Sequence, residues 1–409
     1  ADHPSIEFSP IFSIDNDNSA LETYQVNLKW LAEAAKRPNL LLTKVLSDDV
    51  EKLSVDRLTE LLGPQHAELD LLIGGPPCQG FSSSNRTKKK ESKSNRNRLT
   101  GVFMDRVANF MPKMFLLENV QGVQWTKPTD DMLAGTTQQA CLPNFLEEAD
   151  EETTNNLAHI GLTSVQQYVI NRARALGYRV WYTIEDSANY GVPQRRNRFL
   201  LFGVRSELVA ETVAVDLAPY LYAQREQIQV TVGQAIGDLP LLNNGDDYQP
   251  SHHGEYHPSA SAYVQYLRRY MSNGDLHDHF TTKHNDEVLR RYEKIKPGQN
   301  WEAIRDLMTN YDNVDNTHSN IYRRLRADMP ANTITHYRKS MIIHPSQHRG
   351  LSFREACRLQ SFPDWYRFSG GREEMQQQLA NAVPPRLASK VAYAIAQFWI
   401  DHILKSTQD

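Results

Sequence analysis

Five short apolar runs, each emptying into a polar or glycine-rich loop, constrain this chain more than any other feature. They are Ile11–Ile14, Leu71–Ile73, Phe115–Leu117, Val180–Ile184 and Phe199–Val204. Continuous hydrophobicity, as opposed to alternation, is what a strand needs when helices cover both its faces. Helical stretches lie between the runs. One is Ser164–Leu176, which stops at Gly177, a residue suited to a helix end. This alternation predicts an α/β domain around a mainly parallel sheet. A chain of 409 residues has room for two or three domains. After Val204 it becomes polar and irregular as far as Arg326, which suggests a second, smaller domain. Helix returns in the tail, where Leu387, Val391, Ile395 and Phe398 share one face. An acidic insertion, Thr126–Asn156, carries the run Glu147–Glu152 and no assigned chemistry.

In sheets of this type ligands gather beyond the carboxyl ends of the strands. The residues that follow each run are therefore the candidates. Leu71–Ile73 leads into Gly74-Gly75-Pro76-Pro77-Cys78-Gln79-Gly80-Phe81-Ser82. Prolines fix the chain direction there, and glycines let a ligand approach the backbone. That context makes Cys78 a candidate nucleophile, although a lone cysteine is more often buried filler. Phe115–Leu117 ends in Glu118-Asn119-Val120, a carboxylate at the same edge. Phe199–Val204 is preceded by Gln194-Arg195-Arg196-Asn197-Arg198, in which Arg196 and Arg198 share one side of an extended segment. Ile11–Ile14 ends in Asp15-Asn16-Asp17, and an acid so placed can take ribose hydroxyls. The net charge is −4, yet Arg86–Arg98 (RTKKKESKSNRNR) is a local +6 that leaves −10 elsewhere. Nucleic acid requires a local positive field, not a positive total; a solvated basic loop is the plain alternative.

Taken in order, five blocks resemble the signatures of bacterial-type DNA cytosine-5 methyltransferases. They are GGPPCQGFS at Gly74–Ser82, ENV at Glu118–Val120, QRRNR at Gln194–Arg198, REACRLQSFPD at Arg354–Asp364 and QLANAVPP at Gln378–Pro385. The resemblance spans nearly the whole chain. It implies a Rossmann-like, S-adenosylmethionine-dependent methyltransferase domain over residues 1–206, completed by 372–409, and a target recognition domain with hinge over 207–371. It implies that Cys78 adds to carbon 6 of a cytosine flipped out of double-stranded DNA. Glu118 would hold the ring nitrogen and amino group and supply a proton. Arg196 would bind the base oxygen, with Arg198 in support. The cofactor would meet Asp15, Asn16, Asp49, Val50, Pro77, Leu99, Asn381 and Val383, with Ala380 where the family usually has glycine. DNA would meet Gln79, Ser82, Arg86, Lys88, Lys89, Lys90, Lys93, Arg96, Arg98 and Gln194, so that the basic run becomes a phosphate-binding segment.

The main departure is at the start. The family opens with a strand and a Phe-x-Gly-x-Gly-Gly loop, and neither precedes Asp15 here. A shortened chain, residues lying ahead of Ala1, or a separate subunit would each account for it. Six histidines, His252, His253, His257, His277, His279 and His284, fall in the second domain. Without cysteines or paired spacing they predict no metal site. Three cysteines, no leader and no apolar run of membrane-spanning length predict a cytoplasmic protein. The family usually acts as a monomer. Two other readings stay open: methylation of a tRNA cytosine, and a non-catalytic DNA-binding subunit that keeps the fold.

Overall fold

The structure is a computed structural model that describes residues 3–63, 68–76, 98–120, 165–259, 261–271, 275–310, 314 and 317–404. The apolar runs form strands. β1 (Phe12–Asp15) and β2 (Lys44–Ser47) flank α1 (Asn18–Ala34) and pair parallel, with Phe12 opposite Lys44. Asp17 caps α1: its carboxylate accepts from the amides of Ser19 and Ala20. α2 (Val55–Leu62) follows, with Ser54 as its cap. A second sheet has the order β3-β4-β6-β5, from β3 (Leu71–Gly74), β4 (Met114–Val120), β5 (Tyr178–Asp186) and β6 (Asn197–Arg205). α3 (Arg98–Phe110) precedes β4, and α4 (Val165–Ala175) precedes β5.

β3 and β4 are parallel, but β6 runs antiparallel to both β4 and β5. β3, β4 and β5 therefore share one direction, and the mainly parallel sheet that the sequence suggested carries one antiparallel strand, β6. The cause is chain length. Only Ser187–Arg196 joins β5 to β6, and a parallel return needs a crossover of a dozen or more residues.

Burial follows the pleat. Met114 and Leu116, with Leu200, Phe202 and Val204, pack on one face against Leu387, Val391, Ile395 and Phe398 of the tail helix. Phe115 and Leu117, with Phe199 and Leu201, pack on the other against Phe103, Met104, Val107, Tyr168 and Val169. Helices thus cover both faces, as the continuous apolar runs required. At Gly203 a side chain is excluded, because a Cβ there would lie 2.1 Å from the ring of Phe115.

Beyond β6 come short helices α5 (Ala218–Tyr222), α6 (Val232–Ile236), α7 (Pro250–His253), α8 (Ala262–Arg268) and α9 (Asp286–Lys294). Longer chain regularity returns with α10 (Phe353–Leu359), α11 (Arg372–Asn381) and α12 (Pro385–Trp399). A second core joins Val232, Ile236, Tyr263, Leu267, Phe353 and Cys357 to Met375 and Leu379 of α11. Val209, Leu217 and Leu221 belong instead to the sheet and α12. Residues just past 206 thus pack with the sheet, and α11 packs with the second core. Arg358 is fully buried between Asp364 (2.7 Å) and Asp238 (2.6 Å), which ties α10 to the second core. No helix among the described residues is long and apolar enough to cross a membrane.

Candidate active site

A cavity of about 3600 Å³ opens where β1, β3 and β4 end, and residues of the second unit close it from the far side. Its central feature is a buried ion pair. Glu118, near the end of β4, accepts from Arg198 Nε at 2.7 Å, with side-chain exposures of 16% and 7%. Burial pushes the Glu118 carboxyl above the ordinary range, while Arg198 and Arg196 pull it back down. A carboxyl raised by burial keeps a proton more readily than an exposed one, as a proton donor must. The loop after β3 lies against it. A Cβ on Gly75 would sit 3.3 Å from Glu118 Oε2, and Asn119 donates to the Pro76 carbonyl at 3.4 Å. Gly74 is equally confined, since a Cβ there would meet the Phe103 ring at 2.3 Å.

The two arginines of the QRRNR block divide differently from the sequence expectation. Arg198 sits on β6 and pairs with Glu118. Arg196 precedes the strand; it donates Nη1 to the Ile334 carbonyl at 3.0 Å and Nη2 to the Ala380 and Ala382 carbonyls at 2.7 and 3.2 Å. It fastens the hinge and the start of the tail to the sheet while still lining the cavity and pulling the Glu118 carboxyl down, and Arg198 makes the ion pair with Glu118. Gln194 also departs from its expected place on DNA. It is fully buried, donates to the Leu359 carbonyl at 3.3 Å and accepts from the Ile334 amide at 2.7 Å. Arg98, half exposed at the start of α3, pairs its guanidinium with Glu51. Pro77, Cys78, Gln79, Ser82, Arg86, Lys88, Lys89, Lys90, Lys93 and Arg96 lie outside the described residues, as does the acidic insertion.

Six of the eight expected cofactor contacts line the cavity: Asp15, Asn16, Asp49, Val50, Leu99 and Asn381. Val383 is half-buried and does not line it. Asp15 accepts from the Asp17 amide at 3.0 Å. Asp49 accepts from the Glu51 amide at 3.1 Å, and this bond holds its carboxyl below the ordinary range. Two carboxylates beside the apolar Val50, Leu99 and Ile73 fit a group with ribose hydroxyls and an aromatic base. Sequence reasoning missed Arg106, which donates to the carbonyls of Val50 (2.5 Å) and Leu53 (3.0 Å) and so fixes the Asp49–Val50 loop. It also missed the opposite wall, Asn320, Thr333, Thr335 and His336. Threonine and asparagine in an irregular stretch read as turn residues, so no pattern marks them. Of the histidines weighed for metal, His279 is enclosed between Ser352 Oγ (2.9 Å) and the Pro240 carbonyl (2.8 Å).

A family profile for C-5 cytosine-specific DNA methylases matches residues 4–138 and 153–397. The type II methyltransferase M.AgeI of Thalassovita gelatinovora is 26% identical, over 95% of this chain and 94% of its own. M.DdeI of Desulfomicrobium norvegicum is 27% identical, over 96% of this chain and 84% of its own. Among solved structures, a prophage-encoded E. coli protein described as a DNA modification methyltransferase superposes with a TM-score of 0.63 at 20% identity. That match covers 95% of this chain and 92% of the other.

Proposed function

The chain belongs to the C-5 cytosine-specific DNA methylases, enzymes that methylate DNA cytosine, and from that premise we propose how its own residues carry the reaction. The target base is drawn out of the duplex into the cleft between the two units. The Cys78 thiolate adds to carbon 6 as the Glu118 carboxyl gives its proton to ring nitrogen 3. Carbon 5 gains the nucleophilic character of an enamine. S-adenosylmethionine, when bound against Asp15, Asp49, Val50, Leu99 and Asn381, supplies the methyl group. Loss of the carbon 5 proton to solvent then restores the ring double bond and expels Cys78 as thiolate, and ring nitrogen 3 returns its proton to the Glu118 carboxylate. Arg198 keeps Glu118 in place and balances charge on the base.

The observation that carries this reading is the buried Glu118–Arg198 pair set against Gly75. Cys78 lies three positions after Gly75, a reach of at most ~11 Å, so thiol and carboxyl can meet on one base. The type II relatives support a short specific recognition sequence and a restriction–modification role. The basic residues from Arg86 to Arg96 take phosphates, and the second unit reads base edges.

The experiment is incubation with plasmid DNA and S-adenosylmethionine, followed by base-resolution sequencing of methylcytosine. One recurring short motif should carry the methyl groups. Cys78→Ala should bind the same DNA, leave it unmethylated and form no denaturation-resistant adduct. Methylation of the same sites at the wild-type rate by Cys78→Ala refutes the mechanism.

A further inference from the structure

Ser19, Thr23, Asn27 and Trp30 recur along α1 at spacings of four, four and three, so they share one face of the helix. That face meets the segment from Trp365 to Gln378, which leads into α11. Asn27 donates Nδ2 to the Arg367 carbonyl at 2.7 Å and accepts from the Arg367 amide at 2.9 Å. Thr23 Oγ1 accepts from the Ser369 amide at 2.8 Å and donates to Gln378 Oε1 at 2.7 Å. Gln378 Nε2 donates in turn to Ser19 Oγ at 3.0 Å and to the Ser369 carbonyl at 2.9 Å. Trp30 stacks on Trp365 with ring centres 4.3 Å apart and closes the end of the row. Thr23 and Asn27 are buried. A Cβ on Gly370 would lie 3.0 Å from the Ser19 Cβ, so the backbone approaches α1 as closely as glycine permits.

The same bonds run on into the loop after β1. Ser19 Oγ donates to Asp17 Oδ1 at 2.6 Å, and the Asp17 amide donates to Asp15 Oδ1 at 3.0 Å. Hydrogen bonds therefore lead without a break from Gln378 to Asp15. One turn beyond Gln378 on α11 stands Asn381, and both Asp15 and Asn381 line the cavity. A buried polar contact of this kind specifies position more than it adds net stability. Each donor has one matching acceptor, and a slip of one residue would leave several buried groups unpaired.

We propose that Thr23 and Gln378 are positioning residues for cofactor binding. Their bond locks α1 to α11 and so sets the distance between Asp15 and Asn381. They act through those two residues, which would hold S-adenosylmethionine, and in this respect the assignment rests on the cofactor reading given above. With the lock in place the two walls are ordered before the cofactor arrives, and binding does not have to order them.

The test is equilibrium binding of S-adenosylhomocysteine to the full chain by calorimetry, with steady-state methylation kinetics beside it. Thr23→Val keeps the shape of the side chain and removes the hydroxyl. It should weaken S-adenosylhomocysteine about tenfold, the factor for one backbone residue that must be ordered on binding. KM for S-adenosylmethionine should rise by a similar factor with kcat within about twofold. Thr23→Ser keeps the hydroxyl and should bind like wild type. Gln378→Glu, at a partly exposed position, keeps the acceptor for Thr23 but loses the donor to Ser19, and should weaken binding as Thr23→Val does. Ile304→Val trims a separate core around Tyr292 and Tyr322; it should lower the melting temperature and leave affinity unchanged. Wild-type affinity in both Thr23→Val and Gln378→Glu overturns the assignment, as does an equal loss in Thr23→Ser or in Ile304→Val. A wild-type chain that binds no S-adenosylhomocysteine refutes the cofactor reading itself, and this assignment with it.

Discussion

Replacing Arg198 with methionine removes the charge beside Glu118 while keeping most of the side-chain volume. Both side chains are well under a third exposed, so the loss exceeds that of a surface pair. Breaking a buried ion pair costs about 3–5 kcal/mol; water reaching Glu118 from the cavity favours the low end, about 3 kcal/mol. For the sheet-bearing unit this corresponds to a fall in melting temperature of roughly 6–10 °C. The loss must also depend on pH. Burial already raises the Glu118 carboxyl, with Arg198 opposing it. A carboxyl raised in the folded state contributes stability that is complete below its unfolded pKa and is lost as pH rises through the folded value. Without Arg198 the folded value climbs further, so the variant loses more stability than wild type as pH rises. Differential scanning fluorimetry at pH 5 and pH 8 reads this directly. The gap between Arg198→Met and wild type should be widest at pH 8 and shrink at pH 5. A gap of equal size at both values refutes the assignment of Arg198 as the partner that keeps Glu118 ionisable.

Gln194→Ala should lower stability by about 2–4 kcal/mol, since it leaves the buried Ile334 amide and Leu359 carbonyl without their partner. The folded fraction should bind DNA as tightly as wild type, because the Gln194 amide is held by backbone groups; a tenfold loss of DNA affinity in the folded fraction would restore the DNA-contact reading. Burial lowers His279 and His344 to about 4, with Glu355 opposing the shift in both. A depressed histidine contributes stability above its unfolded pKa that is lost as pH falls through the folded value, here between about 6.5 and 4. Each should remove about 3 kcal/mol across that window. His279→Gln should roughly halve the slope of urea midpoint against pH, and an unchanged slope would show that His279 takes up no proton on unfolding.

The core of the first unit was legible because its periodicity had one physical cause. Runs such as Phe115–Leu117 are apolar without a break, since α3 and α4 cover one face and α12 the other. The tail stripe Leu387, Val391, Ile395 and Phe398 reads as one helical face and is wholly buried against that sheet. Strand direction was not legible from hydrophobicity, which is the same for either sense. It was legible from the short Ser187–Arg196 link. The second unit resisted because its core is assembled from short helices and loops around buried arginines such as Arg358 and Arg324. A buried arginine and a solvated one look alike in sequence.

The candidate site shows the same ambiguity at higher stakes. Glu118 and Asp15 could be placed from strand ends alone, because topology decides where a sheet presents its ligands, whereas Asp49 follows β2, which no apolar run marked, and came only from the family resemblance. Gln194, Arg196 and Arg98 could not, because a polar side chain near a site has two uses and the motif does not say which. It can face a ligand, or it can satisfy buried backbone and carboxylate groups that would otherwise destabilise the fold. Here the carbonyls of Ile334, Ala380 and Ala382 hold Arg196, and Glu51 holds Arg98. The block next to Glu118 thus has two tasks in a single pentapeptide. Its last arginine sets the protonation of Glu118. Its glutamine and middle arginine bind the hinge and the tail to the sheet, so opening the cleft wide at this edge would require breaking the bonds that hold the acid's own neighbourhood together.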